Sequence, residues 1–226
     1  MRGTFITFEG PEGGGKSTHV QELAEQLRAE GRTVLVTREP GGTRLAELIR
    51  GLVREEVDDP PVTRSEVLLF LAARAQVVSQ VIRPALQRGE WVICDRFADS
   101  TFAYQGYGRG VDVARLKDLN DFATEGLKPD LTILLDVPPE TSRARLAARQ
   151  AVDVGMRPQV AVPVQQLQDA VGQLAGHAAH PADDEIAVRG SPRPHGLLDL
   201  RVCLVNGHGR PSGSARRPPR AGRTNR

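Results

Sequence analysis

The sequence predicts an α/β fold of three layers, with helices on both faces of a mostly parallel sheet. Strand and helix patterns alternate through residues 1–149, and this order produces parallel strands joined by crossover helices. The strand segments are continuous apolar runs, which are typical of strands buried on both faces. We therefore expect a parallel sheet in this region that is covered by helices on both sides.

Each element has a local signal at its ends. Gly31 and Gly89 close two helices, and Pro138 and Pro139 open the last one, where the first turn tolerates a missing N–H. Up to a break at 58–61, we predict a strand at 5–9, a helix at 16–29, a strand at 34–37, a loop at 38–43 and a helix at 44–53. After it, we predict a helix at 64–88, a strand at 91–95, a polar loop at 96–109, a helix at 113–125, a strand at 131–136 and a helix at 138–148.

The composition changes near Gln150. Residues 150–226 contain no Phe, Tyr, Trp or Lys but carry 8 of the 16 prolines, so they bury too little apolar surface to offset the lost chain entropy. We therefore divide the chain into a core at 1–149, an atypical segment at 150–206 and a tail at 207–226, which we expect to be disordered. A helix at 164–174 and a strand at 197–205 are the predicted elements of the atypical segment.

Charge and cysteine content limit the classes of protein that fit. A net charge of +2 is too small to indicate a protein that binds nucleic acid over its whole surface. Cys94 and Cys203 do not make a disulfide framework, and Cys94 lies in an apolar run where a buried residue is expected. Because the chain shows no leader pattern and no run of about 18 apolar residues, we expect a soluble, cytoplasmic protein with no membrane partner.

A glycine-rich turn joins the first strand to the first helix. It matches Gly-x-x-x-x-Gly-Lys-Ser in the strand–loop–helix context of a phosphate-binding P-loop. The backbone N–H groups and the helix dipole favour a phosphate, Lys16 can reach the β- and γ-phosphates, and the Ser17 hydroxyl can bind Mg²⁺. The alternative is a turn that binds nothing. The predicted phosphate-binding residues are Gly10, Pro11, Glu12, Gly13, Gly14, Gly15, Lys16, Ser17 and Thr18.

Residues that suit a phosphate acceptor follow two other strands. Arg38 follows the second strand and Asp95-Arg96 ends the third, and ligands bind at such strand ends in open parallel sheets. An arginine fork matches phosphate oxygens, and an aspartate in this position can organise Mg²⁺. The structural alternatives are a surface arginine for Arg38 and a strand-end ion pair for Asp95 and Arg96.

Phe70 and Arg74 lie four residues apart in the long predicted helix and therefore project from the same face. A ring and a guanidinium in this arrangement can stack on a base and hydrogen-bond its edge. Phe70 stands among leucines and a valine, so taken alone it is better explained as a core residue. The loop after Arg96 adds hydroxyls, an amide and two tyrosines, which suit a polar nucleotide.

Six segments, taken together, carry a likeness that none carries alone. They are Phe8-Glu-Gly-Pro-Glu-Gly-Gly-Gly-Lys-Ser-Thr18, Thr37-Arg-Glu-Pro-Gly-Gly-Thr43, Leu69-Phe-Leu-Ala-Ala-Arg74, Asp95-Arg-Phe97 with Ser100 and Thr101, Tyr104-Gln-Gly106, and Pro129-Asp-Leu-Thr-Ile-Leu-Leu-Asp136. In order and spacing they resemble the bacterial thymidylate kinases over residues 1–149. The resemblance reverses the interpretation of Phe70, from a core residue to a platform for a base.

The resemblance implies a P-loop NTPase-type fold, and transfer of the γ-phosphoryl group of ATP to dTMP to give dTDP, with Mg²⁺ as cofactor. It implies catalytic roles for Lys16, Asp95 and Arg96, with Ser17 and Asp95 at the metal. It also implies a homodimer formed through helix faces around 64–88. The acceptor contacts that it implies are Glu12 on the deoxyribose 3′-hydroxyl, Phe70 and Arg74 on thymine, Arg38 and Arg96 on the dTMP phosphate, and Gln105 with Ser100 or Thr101 completing the site.

After residue 149 the chain departs from the pattern of this family. The expected arginine-bearing lid and the long helix after it are not recognisable in residues 150–226, and a reading-frame shift in a GC-rich gene would produce this change. An alternative function is therefore a nucleotide-binding remnant without turnover, since loss of such an arginine can cost about 10³–10⁵ in rate. A nucleic-acid tether in the arginine-rich tail is disfavoured, because tails of this composition are more often merely solvated.

Overall fold

One five-stranded sheet organises the described part of the chain. The structure, a computed structural model, describes residues 2–54, 59–152 and 201–206. The strands are β1 (Phe5–Glu9), β2 (Val34–Arg38), β3 (Trp91–Asp95), β4 (Leu131–Asp136) and β5 (Arg201–Asn206). Their order is β2-β3-β1-β4-β5, with β1 to β4 parallel and β5 antiparallel to β4. The mostly parallel sheet confirms the predicted fold class.

Helices connect the parallel strands. They are α1 (Lys16–Ala29), α2 (Arg44–Arg54), α3 (Thr63–Val77), α4 (Arg83–Gln87), α5 (Ala98–Thr101), α6 (Val113–Thr124) and α7 (Pro139–Val152). A π-helical turn at Val78–Ile82 joins α3 to α4, and a second one at Phe102–Tyr107 extends α5. The long helix predicted at 64–88 is therefore one helical run in three parts.

The polar loop predicted at 96–109 is wrong, because α5 and the π-helical turn after it occupy most of that segment. A contact with α6 explains the difference. A Cβ on Gly106 would lie 3.2 Å from Cγ2 of Val113 and 3.3 Å from Cδ1 of Leu116, so the missing side chain lets the two segments pack closely. The segment is thus helical through a tertiary contact that its own composition does not display.

Residues of β1 alternate between the two helical layers. Phe5 packs in one cluster with Val77 and Leu116, and Cys94, which was predicted to be buried, is fully buried in the same cluster. Ile6, on the opposite face of the strand, packs in a second cluster with residues of α1. The sheet is therefore covered on both sides, as predicted for a continuously apolar strand.

The helical run Thr63–Gln87 is long and apolar enough, by length and composition, to cross a membrane. This finding corrects the expectation that the chain has no stretch of that kind. The core helix of a soluble protein passes the same test, and Val67, Val77 and Ile82 of this run pack in the core. The run is therefore weak evidence for a membrane span, and it is the one candidate within the described residues.

The fifth strand comes from the atypical segment. A strand was predicted at 197–205, and β5 lies at Arg201–Asn206, paired with the whole of β4. The segment thus contributes a strand to the sheet of the core. The predicted helix at 164–174 and the tail at 207–226 lie outside the described residues.

Candidate active site

The phosphate loop, residues 10–15, connects the end of β1 to the start of α1. Gly10 has a φ of 134°, and a Cβ on it would lie 2.6 Å from the carbonyl oxygen of Leu135, so only glycine fits there. No side chain caps the N-terminus of α1 at Gly15. The predicted strand–loop–helix context is therefore present, with the positive end of the α1 dipole at the loop.

Lys16 is buried inside this loop. Its Nζ donates hydrogen bonds to the carbonyl oxygens of Pro11 at 2.8 Å and Gly10 at 3.1 Å. Burial, together with the positive charge of Arg96, lowers the pKa of Lys16 to about 7. A phosphate in the loop would favour the charged amine, because an opposite charge within a few ångströms raises an amine pKa. The charge of Lys16 is therefore coupled to the binding of an anion.

Ser17 and Asp95 meet at the next point of the site. Ser17 Oγ donates to Asp95 Oδ2 at 2.8 Å, so the first turn of α1 touches the carboxyl end of β3. A hydroxyl and a carboxylate are the hard oxygen ligands that Mg²⁺ prefers, and this ion usually takes one or two protein ligands together with substrate phosphates. Within the described residues, no group of three or more His, Cys, Asp or Glu side chains could hold a metal ion. The pair therefore fits a magnesium ion held partly by the nucleotide.

Arg96 follows Asp95 with a φ of 72°, a conformation that costs a non-glycine residue about 1–3 kcal/mol. Its Nη1 donates to Ser100 Oγ at 3.1 Å, and its guanidinium lies 5.5 Å from the centroid of the Tyr104 ring. Burial opposes its charge, but Tyr104, Glu9 and Asp95 outweigh that effect and raise the pKa of Arg96. A fixed positive charge therefore stands beside the predicted metal site.

Glu9 is a residue of the site that the sequence reading missed. It ends β1 and is buried, and its carboxylate accepts hydrogen bonds from the backbone N–H of Phe97 at 2.7 Å and from Ser100 Oγ at 2.6 Å. These bonds hold the Arg96 turn against the phosphate loop. The available signal was a single carboxylate at the end of the apolar run Phe5-Ile-Thr-Phe-Glu9.

Arg74 is buried and bonded to four groups of the protein. Nε donates to Glu39 Oε2 at 2.7 Å and Nη1 to Asn120 Oδ1 at 3.0 Å. Nη2 donates to the carbonyl oxygen of Phe97 at 3.0 Å and to Thr101 Oγ1 at 2.9 Å. Of its five N–H donors, one on Nη1 remains for any further partner. Arg74 therefore ties α3 to three other segments: the loop after β2, the segment of α5, and α6.

The other predicted acceptor residues differ in their surroundings. Phe70 is only partly buried, whereas its neighbour Leu71 lies in the core. Gln105 is buried, and its Nε2 donates to Glu66 Oε1 at 2.7 Å. Glu12 and Thr18, by contrast, are exposed at the phosphate loop. The structure thus leaves the ring of Phe70 partly open to solvent, while Gln105 belongs to an internal network.

Arg38 stands at the end of β2, opposite Asp95 of β3 in the strand register. Its Nη2 donates to both carboxylate oxygens of Glu47 at 3.0 Å, and both side chains are about half exposed. The backbone N–H of Gly42 and the positive charges of Arg38 and Arg50 outweigh slight burial and lower the pKa of Glu47. The Arg-Glu-Pro-Gly-Gly-Thr loop is therefore held by α2, with Arg38 beside the predicted metal site.

Glu39 is a second residue that the sequence reading missed. It is buried against Arg74, and within the described part of the chain its Oε1 has no hydrogen-bond partner. Burial raises the pKa of Glu39 to about 7 despite the positive charge of Arg74. Burial and the negative charge of Glu9 likewise raise the pKa of Asp99 to about 7. The predicted acceptor side therefore holds two carboxyl groups whose pKa values burial raises.

We expect the stability of the wild-type chain relative to Glu39→Gln to decrease as the pH rises from about 5 to 7. The pKa of Glu39 lies near 7 in the folded chain, above its ordinary value of 4.5, so the folded state binds more protons in this window and loses stability as they dissociate. One group can contribute at most about 1.4 kcal/mol per pH unit. Urea unfolding of both proteins at several pH values measures this difference, and a difference that is constant or grows with pH would show that the assigned shift is wrong.

Comparison with known proteins identifies the family. The family model described as thymidylate kinase matches residues 8–166. The thymidylate kinases of Ectopseudomonas mendocina and Alcanivorax borkumensis are each 54% identical over 153 residues, which is 68% of this chain and 73% and 74% of those proteins. The crystal structure of thymidylate kinase from Ehrlichia chaffeensis is 35% identical, covers 77% of this chain and 99% of its own, and superposes with a TM-score of 0.57. This chain belongs to the thymidylate kinase family.

Proposed function

We propose that this chain transfers the γ-phosphoryl group of ATP to dTMP, giving dTDP and ADP. The observation that carries the proposal is the convergence of four charged residues at the carboxyl ends of β1, β2 and β3. Lys16 contacts the phosphate loop, and Asp95 accepts a hydrogen bond from Ser17 at 2.8 Å. Arg96 follows Asp95 in the sequence, and Arg38 lies opposite Asp95 in the neighbouring strand. Membership of the thymidylate kinase family supports ATP as donor and dTMP as acceptor.

Ser17 and Asp95 are the residues that we propose to hold Mg²⁺. The ion, when bound, neutralises charge on the phosphate oxygens of the donor. Lys16 contributes a second positive charge inside the loop, and Arg96 contributes a third that stays protonated at all working pH values. The backbone of residues 13–18 completes the donor site, because N–H groups at a helix N-terminus favour phosphate. Of these groups, the N–H of Gly14 and the N–H of Thr18 donate to the carbonyl oxygens of Pro11 and Gly15 and so brace the loop itself. The chain's own part in the reaction is therefore to position the donor and neutralise its charge.

The acceptor would lie on the side of Arg38, Phe70 and Arg74. We propose that Arg38 and Arg96 bind the dTMP phosphate. Arg38 must then release Glu47 and bind the phosphate instead, whose oxygens also match the two parallel N–H donors of a guanidinium. The partly open ring of Phe70 would stack on thymine, and the remaining N–H of Arg74 would meet an oxygen of the base. The residues proposed to complete the acceptor site are Glu12, Ser100, Thr101 and Gln105.

An assay of ADP release tests this function. Purified full-length chain with saturating ATP and Mg²⁺ should release ADP when dTMP is added and much less without it. Nucleotide binding without release of ADP on addition of dTMP would instead support the alternative of a non-catalytic remnant. Such a result would match the unrecognisable lid after residue 149.

We further propose that the chain forms a homodimer through α2 and α3. Leu45, Leu48 and Leu52 follow one face of α2 and are 46%, 62% and 55% exposed, and Leu68 on α3 is 60% exposed. α2 packs against α3, so these leucines belong to one pair of helices. An exposed apolar patch of this kind favours a protein partner. Light scattering should give twice the chain mass of 24.5 kDa, and the mass of a single chain at micromolar concentration would contradict the proposal.

Three further proposals rest on composition alone. They are the division into a core at 1–149, an atypical segment at 150–206 and a tail at 207–226, a cytoplasmic location, and the absence of a nucleic-acid partner. A reading-frame shift near codon 149 explains the division, and the nucleotide sequence around that codon tests it directly. A neighbouring frame that encodes no lid would contradict the frame shift.

A further inference from the structure

Helix α7 touches the phosphate loop through two side chains. Ser142 Oγ donates a hydrogen bond to the carbonyl oxygen of Glu12, and Arg145 Nη1 donates to the carbonyl oxygen of Gly13 at 3.3 Å. Ser142 is almost fully buried, at 1% exposure, so its bond is shielded from water.

The loop and the helix fit each other closely at Gly13. This residue has a φ of 74°, and a Cβ on it would lie 2.8 Å from the carbonyl oxygen of Ser142 and 3.2 Å from Cγ of Leu146. Arg145 Nη1 also lies 3.9 Å from the position that a Cβ on Gly15 would occupy. The Arg145 guanidinium therefore lies close to both Gly13 and Gly15 of the phosphate loop.

Because the peptide bond is planar, these contacts to two carbonyl oxygens also determine where the N–H groups of the loop point. In a trans peptide the C=O of one residue and the N–H of the next point in opposite directions. Because Ser142 holds the Glu12 carbonyl toward α7, the N–H of Gly13 points away from α7. Because Arg145 holds the Gly13 carbonyl, the N–H of Gly14 also points away, where it closes the turn by donating to Pro11 at 3.2 Å.

We infer that α7 is the support of the phosphate loop and that Ser142 and Arg145 are positioning residues for the donor nucleotide. The inference rests on the proposed donor site and deepens it. It predicts that the two side chains affect ATP binding, while the proposed acceptor residues of β2, α3 and α5 are left unchanged. Because α7 extends to Val152, the start of the atypical segment is joined directly to the donor site.

Two variants and a matched control test the inference. Arg145→Met removes the charge and the bond to Gly13, and Ser142→Ala removes the bond to Glu12. Arg143→Met removes an equal charge from an exposed position on the same helix. Displacement of a fluorescent ADP analogue by ATP gives the Kd of each protein, and steady-state kinetics give KM for ATP and for dTMP.

We expect Arg145→Met to raise the Kd for ATP about tenfold, because ATP binding must then supply the ordering that this charge-assisted hydrogen bond gives to the loop, and Ser142→Ala to raise it about threefold to tenfold. In Arg145→Met, KM for dTMP should not change, and Arg145→Lys should recover part of the lost ATP affinity. Arg143→Met should bind ATP like the wild type. If Ser142→Ala does not fold, Arg145→Met, whose side chain is only partly buried, decides the question.

Three outcomes would overturn the inference: wild-type ATP affinity in Arg145→Met, equal losses in Arg145→Met and Arg143→Met, or no ATP binding by the wild-type chain. A failure of the proposed function would give a different result from a failure of this inference. A wild-type chain that binds ATP but forms no dTDP would refute thymidylate phosphorylation, and the Kd values would still decide the role of α7.

Discussion

Lys16→Met is expected to lower kcat for phosphoryl transfer by about 10²- to 10³-fold, the usual cost of removing one preorganised charge at a reacting group. Lys16 Nζ bonds two carbonyl oxygens of the phosphate loop, so the ammonium is held where the donor phosphates enter. Methionine keeps the length and much of the volume of the side chain. Steady-state kinetics at saturating ATP, Mg²⁺ and dTMP measure the effect.

Lys128→Met is the matched control for this prediction, because Lys128 is exposed and has no part in the site. Its kcat should equal that of the wild type. A Lys16→Met variant that retains wild-type kcat while folding normally would place phosphoryl transfer elsewhere in the molecule.

Arg74→Met is expected to reduce the free energy of unfolding at pH 8 by about 3–5 kcal/mol, because it leaves a buried carboxylate without its partner. At this pH Glu39 is mostly ionised in the wild type, where its pKa is about 7 with Arg74 beside it, and without Arg74 the carboxyl must either stay charged and unpaired or take up a proton. The substitution also removes the hydrogen bonds of Arg74 to Asn120, Thr101 and the carbonyl oxygen of Phe97. Urea unfolding followed by circular dichroism measures the loss.

The second ion pair of the same loop is the comparison for Arg74. Arg38 and Glu47 are about half exposed, and such pairs contribute about 0–1 kcal/mol. Arg38→Met should therefore change stability little, although it should weaken the acceptor site. Equal losses of stability in Arg38→Met and Arg74→Met would mean that burial does not make the Arg74–Glu39 ion pair more important for stability than the exposed Arg38–Glu47 pair.

The parts of the fold that follow from local pattern were predictable. β1, α1 and β3 lie where the sequence predicts them, because an apolar run, a glycine-rich turn and a closing glycine each act within a few residues. The π-helical turn at Phe102–Tyr107 was not predictable, since its Gly106 packs closely against α6, which comes later in the chain. A composition that suits a loop can be held as a helix by a contact from a later element.

The residues of the candidate site likewise include some that the sequence pattern identifies and some that it does not. The phosphate loop is contiguous in sequence, so Lys16 and Ser17 could be identified from spacing alone. Glu9 and Glu39 could not, because their partners lie 88 and 35 residues away in sequence and no periodicity connects them. The resemblance named Arg74 as a contact of the base, but its four bonds to other segments appear only when those segments are folded together.

The formation of dTDP is the measurement that tests the central claim most directly. Full-length chain is incubated with ATP, Mg²⁺ and dTMP, and the nucleotides are separated by ion-exchange chromatography, with Lys16→Met in parallel. We predict that the wild type forms dTDP and ADP in equal amounts and only when dTMP is present, while Lys16→Met forms little of either. A wild-type chain that binds ATP and dTMP but forms no dTDP would contradict the account.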